Sequence, residues 1–423
     1  VKLLIVNWSG LNTGDDVMLE TVAAHARRKW PGLELGVVGH HVSEQIAARL
    51  GLRVFGSVFA VEHGTAGWKD MMAAVRWADG VLVGGGDIMR ERSASLLPFA
   101  LAAALGRPVA GVSLGVVGRT ASRFWARCYR LCIAASQLLY VRDQHSLALL
   151  APAGADPAKF YVAPDVAFVS HHAYAAQQAV APAGPLRVCV NLREFSDTAY
   201  LGVMSDGRGD QVRRVCQILL AGGAERLGEV VLVPMVDQSA VGITADQRDS
   251  DVHILAELAE ALQSHGVATR VIAQRPSGFA DLAQWLDSAD LVIGARYHFL
   301  IAALASNATL YSVSYAEKVT QLRLTIPGMR ELSEEPLGLS SPEQIAARHL
   351  HVATMSQQAL AALDATLASL DERSVRSAAH RVSGMLLVGM LALEPMTRGV
   401  RVRAGRMLRN ARGASAAQAG GKG

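Results

Sequence analysis

The feature that most restricts the fold is a repeated switch between short unbroken apolar runs and longer amphipathic stretches. From residue 2 the runs "KLLIVNW", "LELGVVGH", "ADGVLVGGG", "RPVAGVSLG" and "QLLYVRD" alternate with amphipathic segments at 15–29, 43–50, 94–105, 122–135 and 144–150. A run apolar at every position suits a strand covered on both faces, and strand–helix alternation is the signature of a parallel sheet. The first domain, 1–170, is therefore expected to be Rossmann-like. Residues 171–185, "HHAYAAQQAVAPAGP", break the pattern and read as a linker. A second series follows over 186–335: "LRVCVNLRE", "EVVLVPM", "ATRVIA", "ADLVIGAR" and "ATLYSVSY". The expected fold class is α/β, with two Rossmann-like domains facing across a cleft. C-terminal helices are expected over 336–397, where a stretch opening on Ser341-Pro342-Glu343 keeps apolar residues at helical spacing.

Composition supports this. The 423 residues exceed one ordinary core, and 51% hydrophobic with 18% charged residues suits a folded globule. Aromatic residues make up only 5%, which disfavours a stacking surface for nucleic acid, and no nucleic-acid partner is expected. The net charge of +4 comes from a basic flexible tail at 398–423, with six arginines, one lysine and no acid; without those seven cations the remainder stands at −3. Cys128, Cys132, Cys189 and Cys216 form no CxxC pair, so neither a disulfide framework nor a zinc site is expected. The segment "VKLLIVNWSG" leads directly into a strand without a leader pattern, and "GMLLVGMLAL" has ten residues, about half of a membrane span. A cytoplasmic protein is expected.

Two such domains leave a cleft beside the carboxyl ends of their strands, where loops lie. The polar residues of interest follow strands there. "NWSGLNTGDD" places Asn12 and Asp15 around a helix start, where they suit a cap as well as a site. Gly84, Gly85 and Gly86 follow an apolar run and allow close backbone approach, but match neither GxGxxG nor a P-loop. Arg142 and Asp143 end another run, and the second domain supplies Asn191, Arg193, Pro234 and Asp237. Arg296 at a buried strand end needs an anion or a carboxylate, Lys318 adds charge, and His298 can give and accept a proton near neutral pH. These residues point to a small, multiply anionic substrate undergoing proton transfer.

In order and spacing, these motifs resemble the polysaccharide pyruvyl transferase family over residues 1 to 325. They are the N-x-G-D turn (Asn12, Gly14, Asp15), the Gly84–Gly86 loop, R-D-x-x-S (Arg142, Asp143, Ser146), Pro164-Asp165, and "ADLVIGARYH" with Lys318. The resemblance implies a GT-B-like fold. It also implies transfer of pyruvate from phosphoenolpyruvate, as a ketal, onto two hydroxyls of a sugar in an exopolysaccharide or cell-surface glycan precursor. By matching positions, Arg142, Arg296 and His298 are the phosphoenolpyruvate contacts, joined by Lys318, with Asp15 near the site. His298 is then the candidate acid, and Asp15 or Asp143 accepts a proton from the sugar. No metal or cofactor is expected beyond the donor substrate. The sequence departs from the family where Ser306-Asn307-Ala308 replaces a proline turn and where Val116-Val117-Gly118 follows "GVSLG".

The tail "TRGVRVRAGRMLRNAR" reads either as a solubilising extension or as a basic segment making peripheral contact with an anionic inner-membrane face. The second reading suits a lipid-linked oligosaccharide acceptor. Two rivals stand beside pyruvyl transfer: a GT-B glycosyltransferase using a nucleotide sugar, and a non-catalytic saccharide-binding protein.

Overall fold

A computed structural model describes residues 1–42, 44–63, 65–117, 122–151, 154, 159–171, 184–193, 208–237, 250–333, 337–371 and 378–393. Most of the expected linker and all of the basic tail lie outside the described residues.

The first sheet has seven strands: β1 (Lys2–Val6), β2 (Glu34–Gly39), β3 (Leu52–Ser57), β4 (Gly80–Arg90), β5 (Val109–Val117), β6 (Leu139–Val141) and β7 (Phe160–Val162). Their order is β3-β2-β1-β4-β5-β6-β7, and every pairing is parallel. The second has six, in the order β10-β9-β8-β11-β12-β13 and again all parallel. They are β8 (Leu186–Asn191), β9 (Leu227–Leu232), β10 (Ala268–Val271), β11 (Leu291–Gly294), β12 (Thr309–Ser312) and β13 (Arg330–Glu331). Helices alternate with the strands: α1 (Thr13–Lys29), α2 (Glu44–Arg49), α3 (Thr65–Trp77), α4 (Ser93–Ala104), α5 (Arg123–Ala135) and α6 (Gln144–Leu150) in the first half. In the second half come α7 (Arg208–Leu220), α8 (Val252–Gln263), α9 (Phe279–Leu286), α10 (Tyr297–Ala303) and α11 (Glu317–Thr325).

The central strands are buried, as their unbroken apolar runs require: β11 and β12 wholly, and β4 along all but its last residue. Edge strands differ. β3, at the edge, has no fully buried position and mixes half-buried with exposed residues.

Two long helices follow the second sheet and return to the first domain. α12 (Pro342–Ser369) opens on a full capping box, with Ser341 accepting from Gln344 N while the Gln344 side chain accepts from Ser341 N. Its buried Leu363 and Leu367 join the core, and it packs on the 3-10 turn Val166–His171 and on β5. The helix over 378–393 (α13) inserts Leu387 and Leu391 into the first domain's other core and crosses α4 at Gly384, where a Cβ would lie 2.5 Å from Ala104 N. Among the described residues no helix is long and apolar enough to cross a membrane. The four cysteines are free and buried.

Candidate functional site

In each sheet the strand order reverses at one point, between β1 and β4 in the first and between β8 and β11 in the second. Connections leave such a point in opposite directions and open a crevice at the carboxyl ends of the strands. The two crevices meet. Asn12 forms an isolated antiparallel bridge with Val236, Thr13 N donates to Met235 O at 3.0 Å, and Thr13 Oγ1 donates to Pro276 O at 2.6 Å. Arg275 completes the clamp, with Nη1 2.7 Å from the buried Asp16 carboxylate and Nη2 3.2 Å from Gly10 O.

The turn after β1 explains its own residues. Asn12 caps α1: its Oδ1 accepts from Gly14 N at 3.0 Å, and its Nδ2 donates to Asp15 Oδ2 at 3.1 Å. Gly14 leaves room for the second domain, since a Cβ there would lie 2.1 Å from Cγ and Nδ1 of His298. Asp15 is enclosed, and burial pushes its carboxyl up to about 6; Asp16 and Asp87 add to the rise, while His298 and Lys318 oppose it.

Asp87 organises the cations. Arg142, just after β6, is buried and bonded through Nη2 to Asp87 Oδ1, with Asp143 at 3.5 Å and Asp165 at 3.9 Å. Lys318, at the start of α11, donates across the cleft to Asp87 Oδ2 at 2.6 Å. Burial alone would raise the Asp87 carboxyl, but Arg142, Lys318 and Arg90 outweigh it and hold it well below the usual range. Gly115 is the glycine that permits this pair, because a Cβ there would come within 2.6 Å of both Arg142 Nη2 and Asp87 Oδ1.

Arg296 enters the cavity already paired. Its Nε and Nη2 donate to Asp251 Oδ1 at 3.0 and 2.6 Å, and Asp251 Oδ2 also accepts from Met235 N, Val236 N and Asn191 Nδ2. The carboxylate that the strand-end arginine requires thus comes from the loop before α8. His298, in the first turn of α10, has its Nε2 3.6 Å from Asp165 Oδ2. Neither atom has a hydrogen-bond partner among the described residues. Burial would raise the Asp165 carboxyl, but the neighbouring His298 and Arg142 outweigh it, and it is lowered.

These groups line one cavity of about 180 Å³. Asn12, Asp15, Gly86, Arg142, Arg296, His298 and Lys318 all face it. Gly84 and Gly85 do not. β4 continues through all three glycines to Arg90, with a register shift after Gly86, so the expected loop is a bulged strand. Gly84 packs on Val112, Gly85 on Met18, and only Gly86 meets the site, 2.8 Å from Asp15 Oδ1 to an added Cβ. Asp143 lies outside the lining and caps α6 through Ser146 N at 2.6 Å.

Sequence reasoning missed Trp8, Asp87, Arg90, Tyr297 and Tyr315 in the lining, and Asp251 behind it. Asp87 had a signal, since it directly follows the glycine triplet. Trp8 lies under the Arg90 guanidinium at 4.2 Å. The departure at Ser306 is accommodated by α12, where Arg348 Nη2 and His349 Nε2 both lie against Ser306 O, at 2.6 and 3.1 Å.

The family model described as polysaccharide pyruvyl transferase matches residues 12–317. No curated protein matches the chain. Among solved structures, a putative UDP-N-acetylglucosamine 2-epimerase from Listeria monocytogenes is 13% identical, with TM-score 0.50, covering 85% of this chain and 91% of its own. The Anabaena HepE protein, solved with UDP and glucose, is also 13% identical with TM-score 0.50, covering 88% and 97%. At that identity the likeness shows the fold, a two-domain α/β arrangement of the GT-B type.

Proposed function

The chain belongs to the polysaccharide pyruvyl transferase family, and from that premise we propose that it transfers pyruvate from phosphoenolpyruvate onto a saccharide as a ketal. The family supplies the reaction class, a transferase acting on a saccharide acceptor. One observation carries the choice of donor: Arg142, Arg296 and Lys318 converge from both domains on one small cavity that also holds Asp15 and His298.

Phosphoenolpyruvate carries a carboxylate and a phosphate ester on the same carbon, C2. Guanidinium forks match both groups, and an ammonium adds a movable point charge. The carboxylates behind the cations fix their positions before the donor arrives, so little reorganisation is needed on binding. His298 and Asp15 stand in the same cavity as proton-transfer groups. The acceptor is a sugar with two neighbouring hydroxyls, free or on a lipid-linked oligosaccharide.

The test is a transfer assay with ¹³C-labelled phosphoenolpyruvate and a pooled set of saccharides, followed by mass analysis. A product carrying the labelled ketal, lost in Asp15→Asn and His298→Gln, supports the reading. Labelled pyruvate appearing only free, at equal rates in wild type and variants, contradicts it.

A further inference from the structure

Two tyrosines line the cavity, and their surroundings have opposite sign. Tyr297 is faced by Asp165, Asp143 and Asp87, with the Arg142 guanidinium stacked on its ring at 4.9 Å. Tyr315, only 2% exposed, is faced by three cations from three elements: Arg193 after β8, Arg296 at the start of α10 and Lys318 on α11. Arg193 Nη1 donates to the Tyr315 hydroxyl at 2.9 Å, with the guanidinium 5.0 Å from the ring centre. Asp87, across the cleft, opposes them.

Resting on the phosphoenolpyruvate reading, we propose that Tyr315 is the proton donor of the site: its hydroxyl delivers the proton gained by the enol carbon, and Arg193 holds the phenoxide left behind. Burial alone would make the Tyr315 phenol less acidic; Lys318, Arg193 and Arg296 outweigh it, and its acidity increases. Burial, joined by Asp165, drives Tyr297 the other way, well above the ordinary value. Paired groups whose environments push them apart mark a division of labour between acid–base roles.

The step balances. The O–H bond of Tyr315 breaks and a C–H bond forms at C3, using the electron pair of the C2–C3 double bond, so that C2 becomes an oxocarbenium centre. An acceptor hydroxyl oxygen bonds to C2, and its proton passes to His298, with Asp165 behind the imidazole. The bond from C2 to the phosphate oxygen then breaks. The leaving phosphate keeps the bonding pair and takes the proton from His298. The second hydroxyl closes the ketal at C2 and returns its proton to the phenoxide, so no net proton is consumed. This gives His298 the base role in the first addition, reversing the acid role expected from the sequence.

Ultraviolet difference titration at the phenoxide band tests the assignment, on wild type and Tyr315→Phe, with and without phosphoenolpyruvate, while calorimetry on the same samples follows donor binding. Wild type should show one tyrosine ionising ahead of the rest, and Tyr315→Phe should lack that step. Bound donor adds negative charge beside the phenol and should move the step upward by about one pH unit. Arg193→Gln keeps Tyr315 but removes a facing cation, and should push the step towards the other tyrosines. In the transfer assay, Tyr315→Phe should lose about a hundredfold in rate while binding the donor within about threefold of wild type. An early step that is missing, persists in Tyr315→Phe, or stays put when the donor binds overturns the proposal. Absence of phosphoenolpyruvate binding in the calorimeter removes the donor reading itself and this role with it.

Discussion

The His298 imidazole rests on Gly14, so close that a Cβ at Gly14 would lie 2.1 Å from two of its ring atoms. One half of the protein thus contributes a missing side chain so that the other half can place its histidine. Gly14→Ala tests this. In an unobstructed helix the change would stabilise by about 0.4–1 kcal/mol. Here it should instead lower the melting temperature and cut transfer at least about tenfold through misplacement of the site. A variant that is more stable and fully active would show that the imidazole does not need this space.

Asp15 makes a pH prediction. Its carboxyl holds a proton up to about 6 in the folded protein, against 3.8 ordinarily. The folded chain therefore binds more protons than the unfolded chain between these values, and Asp15 costs stability progressively as pH rises through that window. Asp15→Asn should be more stable than wild type by about 2–3 kcal/mol at pH 7, an advantage fading below about pH 4. Urea unfolding at the two pH values measures it, and an advantage independent of pH would contradict the assignment.

Asp87 has the opposite sign. Its folded carboxyl is held well below the ordinary range, so its contribution is present above that range and is lost as pH falls below it. Asp87→Ala strands the buried Arg142 beside fewer carboxylates and frees Lys318 from its bridge, which should cost about 3–5 kcal/mol at neutral pH. Lys318→Met removes only a partly buried cation and should cost much less. Chemical denaturation of the two variants side by side gives the comparison, and equal losses would contradict the ranking.

The contact between halves should depend on Arg275. Its guanidinium meets Asp16, which is 1% exposed, and also Gly10 O. Arg275→Ala leaves a buried carboxylate unpaired and should destabilise by about 3 kcal/mol. Amide hydrogen exchange should rise at residues 10–16 before it rises in the first sheet. Uniform acceleration across the sheet would mean that the clamp is not local.

Much of this arrangement was legible because burial demands it. β1, β4, β5, β8, β9, β11 and β12 lie inside their sheets and read as continuous apolar runs. β3, β7 and β13 did not, being short or at a sheet edge. Asn12, Asp15, Arg142, Arg296, His298 and Lys318 stood out as polar groups at strand ends. The carboxylate that holds Arg296 did not: Asp251 lies 45 residues before it, and only the folded sheet brings them together. The helical spacing of apolar residues in α12 announced a buried face but could not say that the first domain covers it. The bulge in β4 hid the difference between Gly84 and Gly85, which pack, and Gly86, which opens the site.

Calorimetry on the purified protein tests the central claim most directly, comparing phosphoenolpyruvate with UDP-N-acetylglucosamine and other nucleotide sugars, in wild type, Lys318→Met and Arg296→Lys. Arg296→Lys keeps a cation for Asp251 but loses the guanidinium fork. Saturable phosphoenolpyruvate binding, weakened at least about tenfold in both variants with nucleotide sugars silent, is the predicted result. Binding of a nucleotide sugar with no response to phosphoenolpyruvate would contradict the pyruvyl donor.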